Sequence, residues 1–142
     1  MIYKKSGDFY VIGLSDSEKI MESIQKFLKE ENINSGFFWA IGGVRNPHIG
    51  VFDPLKGDFN KTIIKGIYEV VSFHGNVSVN PDDINPFIHA HISIALKDFS
   101  VAGGHLFESE VAVAFEMVFL PTKNPIVREF DPIFRVMLWS YV

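Results

Sequence analysis

Cysteine is absent from the 142-residue sequence. The protein therefore has no disulfide, no thiolate nucleophile and no thiolate metal ligand, which leaves histidine and carboxylate side chains as the available ligands. Long apolar runs are also absent, because no stretch approaches the roughly 20 apolar residues of a membrane span. The first residues, Met1–Asp8, lack the apolar run of a signal peptide, so we expect a cytoplasmic protein.

Positive charge is scarce, since 13 Lys and Arg stand against 17 Asp and Glu, for a net charge of −4. Proteins that bind nucleic acids usually carry a basic patch, and here only Lys4 and Lys5 adjoin. We therefore expect that the protein does not bind DNA by itself. The sequence also lacks G-x-S-x-G, a P-loop, a dinucleotide fingerprint and HExxH, so whether it is an enzyme stays open.

Apolar residues make up 47% of the sequence and charged residues 21%, which is typical of one globular domain over residues 1–142. Fourteen phenylalanines are more than a domain of this size easily buries. Homo-oligomers bury apolar surface between their subunits, so we expect part of this surplus to lie in a subunit interface.

A single helix is predicted after Ser15. Ser15 and Glu18 have the spacing of a capping box, in which a hydroxyl and a carboxylate each accept a backbone N–H at the start of a helix. Apolar residues then follow at helical spacing: Ile20, Met21, Ile24, Phe27 and Leu28. We expect this stripe to pack in the core and the helix to stop near Asn32.

Most of the remaining sequence has the alternation and the turn signals of short strands. The predicted strands are Phe9–Leu14, Gly36–Val44, His48–Asp53, Thr62–Lys65, Tyr68–Phe73, Asn76–Val79, Phe87–Leu96, Val101–Leu106 and Glu110–Phe119. Arg45–Pro47 is interpreted as a turn, and the tail Phe134–Tyr141 as a last strand or a contact with a neighbouring subunit. One helix among these strands indicates an α+β fold: a strongly bent, mostly antiparallel, barrel-like sheet with the helix packed on it.

Three histidines carry the clearest functional signal. His89 and His91 alternate with apolar residues, so both imidazoles lie on the face of their strand that points away from the core. His105 follows closely enough to return on the neighbouring strand. Three converging imidazoles form a zinc-type site, and the alternative is an ordinary polar sheet face.

The loop between the two strands decides whether His105 can join the pair. If Lys97–Phe99 form a three-residue loop, His91 lies directly opposite His105 on the same face of the sheet. A two-residue loop would turn His105 to the core face, unless a bulge at Gly103–Gly104 restored the parity.

Several short strings, taken together, point to one family. They are Ala40–Asn46, Phe52–Pro54, Gly75–Ser78, His89–His91 and Gly103–Leu106. In this order and spacing the sequence resembles the PPC domain, the plants-and-prokaryotes conserved domain, over roughly residues 5–120, whereas residues 121–142 match less clearly. The resemblance implies an α+β fold, assembly as a homotrimer, and a cluster of the H-x-H and GGH histidines as candidate metal ligands, here His89, His91 and His105.

The resemblance also sets the alternatives for function. In plants this domain follows AT-hook motifs, and stand-alone members are often named DNA-binding proteins for that reason. This sequence has no Arg-Gly-Arg-Pro AT-hook. Our leading interpretation is a trimeric protein whose divalent-metal site binds a small ligand or performs metal-assisted chemistry. The alternatives are a DNA-associated regulatory module and a purely structural trimer.

Zinc is the first candidate ion, because three imidazoles with an open fourth position suit its tetrahedral geometry, although nickel, iron and manganese also accept imidazole. Glu116 is the candidate general acid or base, since small neighbours would leave room for it beside the histidine face. Arg45 and Asn76 are candidate contacts for an anionic ligand. His74 is not counted among the ligands.

Overall fold

The computed structural model of the protein describes residues 1–140 and places most of them in strands around a single helix. The elements in chain order are β1 (Ile2–Ser6), β2 (Phe9–Ser15), α1 (Ile20–Glu30), β3 (Gly36–Asp53), β4 (Asp58–Ile63), β5 (Ile67–Ser78), β6 (Phe87–Ala95), β7 (Val101–Pro121), β8 (Val127–Asp131) and β9 (Val136–Ser140). Within these 140 residues, no helix has the length and apolar character that crossing a membrane requires.

Seven strands form one sheet in the order β1-β2-β7-β6-β5-β3-β4, and β7 pairs with β3 as well. Every ladder between named strands is antiparallel, and the pairings of β3, β5, β6 and β7 form a closed circuit. A mostly antiparallel sheet with one short helix is therefore confirmed. The barrel-like shape expected from the sequence stays a prediction.

The three longest strands run through positions where the sequence predicted breaks. The prediction of a turn at Arg45–Pro47 is wrong, because β3 continues through it with a register shift between Arg45 and His48 against β7. Asn46 takes a left-handed conformation there, with φ 50°. A bulge accommodates Pro47, which has no N–H for the ladder, and it bends the strand without ending it.

The helix begins later than the sequence predicted. Ser15 N–H donates to the Glu18 carboxylate at 2.7 Å, but both residues precede α1, so the capping-box interpretation is wrong. The carboxylate of Glu108, on β7, instead accepts the amides of Met21 and Glu22 at 2.9 and 3.3 Å. The predicted end near Asn32 is confirmed, since the C-cap residue is Glu31.

The core lies between the helix and one face of the sheet. On α1 the buried side chains are Ile20, Ile24, Phe27 and Leu28. Phe27 contacts Phe119 of β7 edge to face, with 5.4 Å between ring centroids. On β6 the side chains that face the core are Ala90, Ile92 and Ile94, each at most 2% exposed. Because side chains alternate along a strand, this burial turns His89 and His91 to the other face.

The last two strands form a separate hairpin in which β8 pairs with β9. The strand β9 lies within the predicted tail Phe134–Tyr141, of which Tyr141 is outside the described residues. The sequence did not predict β8. Its start joins the end of β5, since Val79 N–H donates to the Ile126 carbonyl at 2.7 Å and Arg128 N–H donates to the Val79 carbonyl at 2.9 Å. These bonds carry Arg128 to the histidine face.

Candidate metal centre

The hairpin between β6 and β7 aligns two of the three histidines. Residues 97–99 form a three-residue loop, closed by a hydrogen bond from Leu96 N–H to the Ser100 carbonyl at 2.8 Å. The last loop residue is left-handed, with φ 66°, as three-residue hairpin loops require. His91 is consequently the direct partner of His105 across the ladder, which confirms the predicted register.

Two glycines allow the neighbouring strands to approach His105 closely. A Cβ atom on Gly103 would collide with the Ile92 carbonyl oxygen of β6, and one on Gly104 would lie 2.5 Å from the Gly50 carbonyl oxygen of β3. The β6–β7 ladder runs from Ala95 to His91 without a register shift, so no bulge is needed here. The glycines serve close backbone approach, one of the two roles expected for them.

The three histidines bring their ring nitrogens close together on one face of the sheet. His89, His91 and His105 each offer a ring nitrogen, and these three atoms lie within 4.8 Å of one another. Nε2 of His89 faces Nε2 of His91 at 3.2 Å. Two nitrogens bound to one tetrahedral zinc at about 2.0–2.1 Å lie about 3.3–3.4 Å apart, so the spacing of this pair already suits the ion.

Burial keeps the histidines neutral, which is the form that binds a metal. Burial is the main cause that lowers the pKa of His89 to about 4, with nearby Arg128 adding to the shift. Burial likewise lowers the pKa of His105 to about 4, helped by the charges of His91 and Lys61. The pKa of His91 is lowered by burial and then by His74. At neutral pH all three rings therefore have an unprotonated nitrogen available.

One nitrogen of the cluster is buried and has no hydrogen-bond partner among residues 1–140. It is Nδ1 of His105, and buried polar atoms are nearly always paired. Phe59 and Phe107 flank the ring, each with its centroid 4.8 Å from that of His105, and neither provides a hydrogen-bonding group. A donor set of three neutral imidazoles with one unsatisfied nitrogen fits a metal ion better than it fits a hydrogen-bonded polar sheet face.

The histidines line a cavity of about 760 Å³. Its other walls are largely apolar and come from β3, β4, β6, β7 and β9. Four phenylalanines take part: Phe52, Phe59, Phe87 and Phe107. Four of the fourteen phenylalanines therefore line this cavity, whereas we had expected the excess of phenylalanine at a subunit interface.

Arg128 is the residue beside the histidines that the sequence did not reveal. It is 4% exposed, and its Nε donates to Ser78 Oγ at 2.6 Å while Nη1 donates to the Met137 carbonyl at 2.6 Å. Nη2 donates to Asn76 Oδ1 at 2.9 Å and lies 3.4 Å from Nδ1 of His89. The unpredicted strand β8 supplies this residue, and no motif in the sequence pointed to it.

The Arg128 contact fixes the proton on His89 in this arrangement. A guanidinium can only donate, so Nδ1 of His89 is the acceptor and Nε2 carries the proton of the neutral ring. A metal on Nε2 requires the other tautomer, with the proton on Nδ1. Two donors would then face each other, so metal loading would release this N–H of Arg128.

The two candidate contacts for an anionic ligand, Asn76 and Arg45, lie in different parts of the structure. Asn76 is the ladder partner of His89 and reaches the cluster through Arg128. Arg45 is elsewhere, with Nη2 3.2 Å from Asp16 and Nη1 3.7 Å from Glu110. Its guanidinium is thus engaged in ion pairs near the start of α1, away from the histidines.

Glu116 is not brought to the histidines. For Glu116 to lie beside the histidine face, Val101–Leu106 would have to pair with Glu110–Phe119, whereas both segments belong to the single strand β7. Glu116 lies opposite Ile41 and His105 lies opposite Gly50, far apart along β3. Glu116 lines a separate surface hollow together with Trp39.

His74 lies beside the cluster without joining it. It is the ladder partner of His91, and the two ring centroids are 6.5 Å apart. Its Nδ1 lies 3.2 Å from Ser72 Oγ, and it is not among the three residues whose ring nitrogens converge.

The model of one protein family covers most of the chain. The Plants and Prokaryotes Conserved (PCC) domain, also abbreviated PPC, matches residues 1–122. The chain belongs to this family. The match includes all three histidines and ends before β8, so Arg128 lies outside the segment that defines the PCC domain.

Solved structures of similar proteins support this assignment. A PPC protein from Pyrococcus horikoshii is 33% identical with a TM-score of 0.86, and the alignment covers 99% of this chain and 96% of that one. A protein from Archaeoglobus fulgidus named as metal-containing is 32% identical with a TM-score of 0.86, over 99% of both chains. A candidate DNA-binding protein from Bacteroides thetaiotaomicron is 24% identical with a TM-score of 0.92, over 99% and 96% of the chains, and shows likeness of fold alone. No curated protein matches the sequence.

Proposed function

We propose that this PCC-family protein binds one divalent metal ion, with zinc as the first candidate, through His89, His91 and His105. The observation that carries the proposal is the convergence of three ring nitrogens within 4.8 Å on the wall of a cavity. The relative named as metal-containing adds support, because it is 32% identical over nearly the whole chain.

Three protein ligands leave a tetrahedral ion one open position, and the histidines that would hold the ion line the cavity. A zinc ion so bound supplies a Lewis acid and a water whose pKa is lowered to about 7. The surrounding walls are mostly apolar, with Arg128 as the charged group that lines the cavity within residues 1–140. We therefore favour binding of a small ligand at the open position over proton-transfer chemistry, which needs an acid or base in reach.

We further propose that the protein is a homotrimer, as the family resemblance implies. An apolar outer face supports self-association: Val11, Trp39 and Ile41 are 43%, 51% and 62% exposed. Val11 and Trp39 both pair with Val118, so these side chains lie side by side across three strands. Exposed contiguous apolar surface of this kind is typical of a protein interface.

The alternative is a DNA-associated module, and it rests on the names of relatives that are less than 25% identical. The net charge of −4 argues against direct DNA binding, because phosphate contacts need clustered Lys and Arg. We propose that the protein does not bind DNA by itself. A strong mobility shift at about 150 mM salt, without added metal, would overturn this.

The metal proposal is tested by elemental analysis of tag-free protein together with calorimetric zinc titration. We expect about one zinc per chain in wild type and little in the His89→Ala/His91→Ala double variant. His74→Ala is the matched control, since it removes a neighbouring imidazole that is not among the converging three. Equal zinc affinity in wild type and the double variant would refute the proposal.

A further inference from the structure

We propose that the metal cavity takes a small organic carboxylate with an apolar or aromatic body. The carboxylate would occupy the open metal position near Arg128, and the body would pack among the phenylalanines. This inference rests on the proposed metal site and names the class of ligand that the site would hold.

The size of the cavity fits a small molecule. Ligand sites typically have volumes of about 300–1,000 Å³, and this one has about 760 Å³. A metal-bound water or an inorganic anion alone would leave most of that space unfilled. The occupant therefore has a body as well as a head group.

The walls select an apolar body. Phe59 packs against Phe52 and Phe107 with ring centroids 5.3 and 5.4 Å apart, and all three rings border the cavity. On the other side β9 contributes Val136, Met137 and Leu138. Filling the space between these two walls removes apolar surface from water, which favours binding by roughly 25 cal/mol for each Å² buried.

The charges around the metal position select an anionic head group. Arg128 is almost completely buried, and its closest partners are all neutral: Ser78, Asn76 and the Met137 carbonyl. Within residues 1–140 it forms no ion pair with a carboxylate, and a buried charge without a counter-charge is costly. A divalent ion would add two further positive charges beside it.

A second cation stands at the edge of the cavity. Nζ of Lys61 lies 4.9 Å from the centroid of the Phe107 ring, on the strand that also carries Phe59. Arg128 of β8 lies beside His89, and Lys61 of β4 lies over Phe107, whose ring flanks His105. An anion that reached the metal would be attracted by both.

The hydrogen bonds leave Arg128 able to respond to such a ligand. Three of its donors are already used, while Nη2 also faces Nδ1 of His89 at 3.4 Å. A metal held by Nε2 of His89 would require the ring proton on Nδ1, and this contact would then open. The N–H of Arg128 would be free to donate to an oxygen of the ligand, and hydrogen bonds to a carboxylate are among the strongest in proteins.

The test compares three probes on the zinc-loaded full chain by isothermal calorimetry: 3-phenylpropanoate, its neutral amide and acetate. We expect 3-phenylpropanoate to bind at least about tenfold more tightly than either of the others, because only it has both the charge and the body. Equal binding of the amide would overturn the assignment of an anionic head group. Equal binding of acetate would overturn the apolar body.

Three variants locate the effects. Lys61 lies at the edge of the cavity, so Lys61→Gln should weaken the binding of 3-phenylpropanoate severalfold and leave the binding of its amide unchanged. Arg128→Gln should remove most of the difference in affinity between 3-phenylpropanoate and its neutral amide. Phe107→Leu should weaken the binding of 3-phenylpropanoate and leave the binding of acetate unchanged. If Arg128→Gln does not fold, Lys61→Gln and the probe series still decide the question. Retention of the full preference in both charge variants would refute the role of these cations.

Zinc content, measured first, separates the two proposals. A wild-type chain that holds no zinc refutes the metal proposal and the carboxylate inference with it. A chain that holds one zinc yet shows no preference for 3-phenylpropanoate refutes the carboxylate inference alone.

Discussion

His91 and His105 are direct partners in the ladder between β6 and β7, with 5.8 Å between their ring centroids. His89 lies diagonally from His105, and its ring centroid is 5.2 Å away. The three-residue loop sets this arrangement, because side chains change face with each residue of register. The candidate metal centre therefore depends on the length of a loop that contributes none of the three histidines.

Deletion of Asp98 tests that dependence. A two-residue loop shifts the pairing by one residue and turns His105 toward the core face, so we expect zinc affinity to fall at least about tenfold. Asp98→Ala is the control, because it removes the hydrogen bond from Ser100 Oγ to Asp98 but keeps the loop length. A deletion variant that binds zinc as tightly as wild type would show that the loop does not set the register.

The stability of the metal-free protein should fall on mild acidification. The folded pKa of about 4 for His89 and His105 lies below the ordinary 6.5, so the unfolded chain binds more protons between these values. The free energy of unfolding should thus decrease as the pH falls from 6.5 toward 4. Above pH 6.5 both rings are neutral in the folded and the unfolded chain, so their contribution to the free energy of unfolding no longer changes with pH. Urea unfolding in EDTA at pH 7 and pH 5, at one protein concentration, measures the difference.

His105→Gln provides the control for this pH dependence, because it removes one of the two shifted groups. The loss of stability between pH 7 and pH 5 should be smaller in the variant than in wild type. The carboxyl groups whose pKa is lowered, Asp16, Glu18 and Asp98, lose their contribution only at more acidic pH. Equal unfolding free energies at pH 7 and pH 5 in wild type would contradict the prediction.

Glu108→Gln should destabilise the protein through the start of α1. Lys19 provides no side-chain cap, and the Glu108 carboxylate accepts the amides of Met21 and Glu22. Loss of a negative charge at a helix N-terminus and of a cap costs about 0.5–2 kcal/mol. Chemical denaturation measures this cost.

The matched variant is Glu110→Gln, two residues along the same strand. Glu110 forms an ion pair with Arg45 at 3.7 Å with both side chains partly solvated, so its loss should cost at most about 1 kcal/mol. If the two variants were equally stable, the capping role of Glu108 would have to be abandoned.

Trp39→Lys should dissociate the proposed homotrimer. The indole is 51% exposed on the outer apolar face, and burial of a lysine charge in an interface is unfavourable. Light scattering at micromolar concentration should give a trimer for wild type and a smaller species for the variant. A wild-type monomer would contradict the trimer itself, and a trimeric variant would place the interface elsewhere.

Local patterns were sufficient for the helix, for most strands and for the shared face of His89 and His91. The sequence pairs His91 with His105 only if the loop has three residues, and the structure shows that it does. These inferences succeed because they depend only on neighbours along one hairpin. The same reasoning failed at Arg45–Pro47 and at Glu116, where a bulged strand continues and changes which residues lie together.

What the sequence by itself determined is the set of three candidate ligands and the face that His89 and His91 share, since strand alternation is a local property of the backbone. Only the tertiary structure decided what surrounds them. Arg128 reaches the site because β8 joins the end of β5, and Glu108 caps α1 because β7 passes beneath the helix. Both contacts join segments that are distant in the chain, and the periodicity of a local segment does not predict such a contact.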